Sequence, residues 1–164
     1  ENLKIDDVNN AHSILNGLSS CRMLDACINE TLRLYPAFPA TLTRFAEKDL
    51  VIDGVKVPAG MGVSPNLILA NRDQNLYGKD ANEFRPERFL NEDCPKHVAF
   101  GLGPRACIGR SLAMSLFRLW TFHFVRNFKI ELKNKDEKIE ICLQNGKRVL
   151  TPKPDLNLHF IPRN

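Results

Sequence analysis

The chain is expected to fold mainly as α-helix, with small antiparallel β-hairpins attached. Three observations carry that expectation. Apolar residues recur at helical spacing over 21–35, a second helical run covers 108–128, and 50–58 reads as a β-hairpin. With 164 residues, 43% hydrophobic and 26% charged, the chain has the size and composition of one globular domain. It holds no repeat and no low-complexity tract.

The elements follow in order. Residues 3–18 read as a short, imperfect helix. In 21–35, Leu24, Cys27, Ile28, Thr31, Leu32 and Tyr35 keep a helical period until Pro36 removes an N–H donor and closes the run. In 50–58, Asp53-Gly54 supplies the positive φ angles of a tight turn, and Pro58 and Gly60 limit the second strand. Residues 61–70 continue as a strand and then a helical turn, and 71–93 form a polar, aromatic-punctuated meander without a period. From Ile108 a helix runs through Leu112, Leu116, Leu119, Trp120 and His123 to about Phe128. Its four-residue apolar steps predict a buried helix with Trp120 in the core. Segments 130–132, 138–143, 148–150 and 156–161 are β-like, with Asn145-Gly146 as a turn.

Composition excludes several classes. The net charge of +4 is too mild and diffuse for a nucleic-acid partner. No apolar run approaches the roughly 18 residues of a membrane span, and the richest, 111–128, is broken by Arg118, His123 and Arg126. The five cysteines, at 21, 27, 94, 107 and 142, are odd in number and contain no C-x-x-C pair. A disulfide framework or zinc knuckle is disfavoured, and a reducing compartment fits. Cys94 with His97 lacks a second pair at zinc-finger spacing, and His97 reads as a polar loop residue. Arg110, Arg118 and Arg126 recur every eight residues, which drifts by about 80° per step and makes no single stripe.

The chemistry concentrates in Phe100-Gly101-Leu102-Gly103-Pro104-Arg105-Ala106-Cys107-Ile108-Gly109. A cysteine between a glycine-rich loop and a helical run places its sulfur at a helix N-terminus, where backbone N–H groups favour negative charge. Arg105 adds a fixed positive charge, while Gly101, Gly103 and Gly109 permit backbone angles and close approaches closed to other residues. A small buried cysteine or a phosphate cradle explains parts of this string but not the whole of it. The segment resembles the haem-binding loop of the cytochrome P450 family, Phe-x-x-Gly-x-Arg-x-Cys-x-Gly, with Phe100, Gly103, Arg105, Cys107 and Gly109 at all five fixed places.

Two further segments carry the same resemblance. Glu30 and Arg33 match the family's Glu-x-x-Arg on helix K, and Phe84-Arg85-Pro86-Glu87-Arg88-Phe89 matches its Phe-x-Pro-x-Arg-Phe segment. The resemblance implies that Arg88 joins Glu30 and Arg33 in a buried network, whose surplus guanidinium donors backbone carbonyls must satisfy. It also implies the C-terminal third of a cytochrome P450 fold with helices K and L. On that reading 1–35 are helical, 36–70 a β-hairpin region, 71–99 a meander, 100–109 the haem loop, 108–128 helix L and 129–164 a β-rich end. Ala99 stands where proline is common, and Asn71-Arg72-Asp73-Gln74 where His-Arg-Asp-Pro is usual.

The implied function is a haem-thiolate monooxygenase that inserts one oxygen atom of O2 into a lipophilic organic substrate. The cofactor would be haem b, with Cys107 as axial iron ligand and catalytic residue. Arg105 and Arg44 would hold the propionates, with Phe100, Gly101, Gly103 and Gly109 completing the binding loop, and an approach to a propionate is the alternative reading of His97. Residues 36–42 and 144–149 match substrate-contacting places. The distal proton-delivery pair, a membrane anchor and most of the substrate pocket are expected upstream of Glu1. A haem-binding or non-catalytic truncated product is the alternative. The mitochondrial branch places two lysines on helix K where this chain has Asp25 and Asn29, and an aspartate there would repel an acidic ferredoxin. The expected donor is therefore an NADPH-dependent flavoprotein reductase, with ferredoxin as the alternative. The matching locations are the cytosolic face of the endoplasmic reticulum membrane or, alternatively, the mitochondrial inner membrane.

Overall fold

The structure, a computed structural model, describes residues 10–134, 136, 138–143 and 149–163. Helix α1 spans Ala11–Ser19, so the 3–9 part of the first expected helix lies outside the described residues. Helix α2 spans Arg22–Leu34. Its end follows from the sequence: Pro36 disfavours helical angles at Tyr35, which sits at φ −131° while its N–H still bonds Thr31 O at 2.8 Å. Ala26, Ile28, Leu32 and Leu34 of α2 are buried, together with Glu30 and Arg33.

Strands β1 (Arg44–Phe45), β2 (Leu50–Ile52), β3 (Val55–Val57) and β4 (Gly62–Val63) form two small antiparallel pairs, β1 with β4 and β2 with β3. The β2–β3 turn uses Asp53 at φ 47° and Gly54 at φ 81°, the conformation expected of a two-residue Asp-Gly hairpin. Two single-turn helices follow. In α3 (Leu67–Ala70) the Asn66 side chain accepts the Leu69 N–H, and in α4 (Gln74–Tyr77) Asp73 accepts the Asn75 N–H. The meander expected over 71–93 thus contains α4 and a 3-10 turn at Pro86–Leu90, both too short to show a period.

Helix α5 spans Arg110–Asn127 and passes directly into β5 (Phe128–Leu132). β5 pairs with β8 (Leu158–Pro162), and β6 (Glu140–Leu143) pairs with β7 (Leu150–Lys153). Of the strand expected at 148–150, Leu150 opens β7, which runs on to Lys153 with Pro152 opposite Ile141 in a two-stranded ladder where a missing N–H is tolerated, and residue 148 lies outside the described residues. The expected Asn145-Gly146 turn lies outside the described residues.

One expectation is corrected. None of α5 is buried: Trp120 is 54% exposed, Leu112 67% and Val125 57%. α5 packs on α1 and α2 along one side, where Ile14 and Leu18 of α1 are buried, and Phe160 of β8 meets Phe124 and Phe128. Among the described residues nothing covers the rest. The apolar period correctly marks a helix but not its burial, because periodicity reports which positions are apolar and not whether anything packs on them.

Candidate functional site

Glu30 is the centre of a buried network that fixes the scaffold beneath the cysteine loop. Arg33, one helical step away, grips it with Nε at 2.6 Å and Nη2 at 2.8 Å. The Arg85 N–H donates to Glu30 Oε1 at 2.8 Å, and Arg88 Nε to the same oxygen at 3.1 Å. The remaining guanidinium donors find carbonyls. Arg33 bonds Asn71 O, Ala81 O and Glu83 O, and Arg88 bonds Tyr77 O and Asp80 O. Arg33 also lies over the Tyr77 ring, 4.9 Å from its centroid, and Arg85 pairs with Asp80.

Burial alone would raise the Glu30 carboxyl, but the hydrogen bonds from Arg33, Arg85 and Arg88 and the Arg33 charge outweigh it and hold it below its ordinary value. Every donor of a planar fork is used, so the network depends on guanidinium geometry and not merely on charge. The structure therefore brings Glu30, Arg33 and Arg88 together. Sequence reasoning missed Asn71, Tyr77, Asp80, Ala81 and Glu83, whose carbonyls complete the shell. Backbone acceptors of this kind leave no side-chain signature.

A second set of bonds runs from this scaffold into the loop. Asn71 Oδ1 accepts the Val98 N–H at 2.8 Å. His97 is 6% exposed, with Nε2 at 3.1 Å from Asn29 Oδ1 and Nδ1 accepting the Ala99 N–H at 3.2 Å. His97 lies in a loop as expected, but ring contacts with Phe89 and Phe100 and the bond to α2 bury it there. Burial, then the charges of Arg110 and Arg33, push its pKa down to about 4, against a smaller opposing effect of Glu30.

Cys107 follows a 3-10 turn at Gly103–Arg105 and precedes α5 by three residues. Its N–H donates to Phe100 O at 2.8 Å and its carbonyl accepts the Arg110 N–H at 3.3 Å, so it stands one turn ahead of the helix and not within its first turn. The thiol is exposed. Gly101 and Gly103 take φ of +72° and +71°, angles strained for any other residue, and a Cβ at Gly109 would lie 3.8 Å from the Cys107 sulfur. Leu102, Ile108 and Leu112 near it in the chain are all more than half exposed.

Arg105 is exposed and has no ion-pair or hydrogen-bond partner among the described residues. Arg44 is exposed on β1, with Nη1 donating to Leu42 O at 3.1 Å. An accessible soft sulfur donor with solvent-facing apolar side chains near it in the chain suits an apolar, metal-bearing ligand, and Arg105 offers an uncommitted cation two residues from the sulfur. Cys27 and Cys94 offer no such place, since burial pushes both thiols up.

Asp25 differs from its expected role. Its carboxylate receives Arg118 Nε at 2.6 Å and Nη2 at 2.8 Å, so it is neutralised from within and presents no bare negative charge. Arg118, Arg110 and Arg126 serve separate partners, the last two lying over the rings of Phe100 and Phe122.

Comparison with known proteins agrees with this geometry. A family model described as Cytochrome P450 matches residues 5–160. The chain is 36% identical over 148 residues to "Cholesterol side-chain cleavage enzyme, mitochondrial" of Hypanus americanus, covering 88% of this chain and 27% of that protein. It is 35% identical over 148 residues to "Bifunctional cytochrome P450/NADPH--P450 reductase ascE" of Acremonium egyptiacum, covering 84% and 13%. A crystal structure of a cytochrome P450 superposes with a TM-score of 0.79 at 28% identity, covering 90% of this chain and 33% of that one. The chain belongs to the cytochrome P450 family. Its fold is the C-terminal part of the cytochrome P450 fold, and it spans about a quarter of the length of curated relatives it matches.

Proposed function

We propose that this chain supplies the thiolate side of a haem-thiolate monooxygenase acting on a lipophilic organic substrate. The observation that carries the reading is the exposed Cys107 thiol on its backbone-bonded turn, within a complete Phe-x-x-Gly-x-Arg-x-Cys-x-Gly loop. Haem b, when bound, supplies the activation of O2 by which one oxygen atom enters the substrate and the other leaves as water.

The residues of this chain then divide the work. Cys107 would hold the haem iron through its sulfur, which would donate electron density to the metal. Backbone N–H groups near the sulfur moderate that donation, while Phe100, Gly101, Gly103 and Gly109 shape the loop around it. Arg105 and Arg44 hold the carboxylate edge. Glu30, Arg33 and Arg88 take no part in chemistry and keep the loop's support rigid.

For the electron donor we favour a flavoprotein reductase, which places the protein at the cytosolic face of the endoplasmic reticulum membrane. The support is the absence of lysine at Asp25 and Asn29, not repulsion by Asp25, whose charge Arg118 cancels. Among relatives, one is named as a fusion with such a reductase and another as mitochondrial. No described helix is long and apolar enough to cross a membrane. Reconstituting the haem-loaded protein with each donor separately tests the choice; turnover with ferredoxin alone would reverse it and favour the mitochondrial inner membrane.

A further inference from the structure

We propose that His97 is a positioning residue for the cysteine loop, tying the segment that leads into it to helix α2. The inference rests on the haem-thiolate reading above. The Ala99 N–H donates to Nδ1, so that nitrogen carries no proton. The proton then sits on Nε2, which donates to Asn29 Oδ1 on α2. One neutral imidazole therefore clamps the loop strand with one nitrogen and a rigid helix with the other. The next residue, Val98, is held by Asn71 Oδ1, and Asn71 O in turn receives Arg33. Residues 97–99 are thus fastened just before Phe100, whose carbonyl accepts the Cys107 N–H. The path from α2 to the backbone of Cys107 runs through the Asn29–His97 bond at 3.1 Å, the His97–Ala99 bond at 3.2 Å, the peptide backbone to Phe100 and the Phe100–Cys107 bond at 2.8 Å.

The surroundings keep the ring neutral. Arg110 of α5 and Arg33 of α2 oppose a positive charge on it, and Glu30 favours one less strongly. Its open side meets a small cleft whose charged and titratable lining is Glu92, Lys96, Cys94 and Arg110. Phe89 and Phe100 close the other sides. A protonated ring would aim an N–H at the Ala99 N–H and release the segment, so the neutral state is the working one.

The test uses the haem-loaded protein and follows the red-shifted Soret band of its ferrous–CO state, the signature of a thiolate ligand. His97→Leu and Asn29→Leu should each speed loss of that band by about tenfold, in line with breaking a buried hydrogen bond. Combining them should add little. His97→Asn, whose side-chain oxygen falls near the Nδ1 position but whose side chain does not reach Asn29, should lose the band no faster than Asn29→Leu, and adding Asn29→Leu to it should change nothing. Far-ultraviolet circular dichroism of each variant separates loop release from unfolding. If His97→Leu fails to load haem, Asn29→Leu, with His97 intact, decides. Band loss at the parent's rate in both Leu variants, or loss only in step with global unfolding, would overturn the proposal. Cys107→His is the control. If it abolishes the band while the Leu variants behave as parent, His97 positioning fails and the thiolate reading stands; if it retains the band, both fail.

Discussion

Glu30 accepts four hydrogen bonds from three residues, and this explains why its partners are not interchangeable with other cations. Arg33→Lys keeps the charge but strands Asn71, Ala81 and Glu83 carbonyls and half of Glu30's bonds. The expected cost is roughly 3–5 kcal/mol, read as a lowered urea midpoint with loss of haem retention. An unchanged midpoint would refute the network's role. His97 carries the second residue-scale prediction. Its pKa of about 4 in the folded protein lies below the ordinary 6.5, so between those values the unfolded chain binds more protons. Stability is full above about pH 6.5 and falls as pH drops towards 4, by about 3 kcal/mol for this group alone. Glu30, held below its ordinary value, adds a further loss only within the carboxylate range. Urea midpoints between pH 7 and 5 should therefore decline in the parent and flatten in His97→Asn; equal slopes would contradict the assignment.

At the scale of elements, α2 and α5 are joined by Arg118 and Asp25, 93 residues apart in the chain. Both side chains are roughly a quarter exposed, so their coupling should be about 1 kcal/mol in a double-mutant cycle and should weaken in salt. Zero coupling at low salt would show that the helices are held by apolar packing alone. Helix α2, the Asp53-Gly54 hairpin and α5 were legible because each has a local signal: a 3.6-residue period, a positive-φ turn pair, and an apolar run. The Glu30 network was legible only through the motifs around it, since a Glu/Arg pair three apart is ordinarily a surface feature. Asn29 with His97, and Asp25 with Arg118, join residues 68 and 93 positions apart and carry no local pattern. The exposure of α5 was misjudged for a related reason: amphipathicity says that a face wants cover, not where the cover comes from.

At the scale of the whole molecule, among the described residues, Leu102, Ile108, Leu112, Trp120 and Val125 leave apolar surface in water, spread around α5 and not along one stripe. Residues 1–164 alone should therefore bind haem weakly and support no turnover, and tight stoichiometric uptake with hydroxylation by that polypeptide would contradict this. The central claim, that Cys107 is the iron ligand, is tested most directly by the ferrous–CO spectrum of Cys107→His in the haem-loaded protein. The account predicts that the red-shifted Soret band disappears in this variant and persists in Cys94→Ser. Its persistence in Cys107→His, or its loss in Cys94→Ser, would contradict the account.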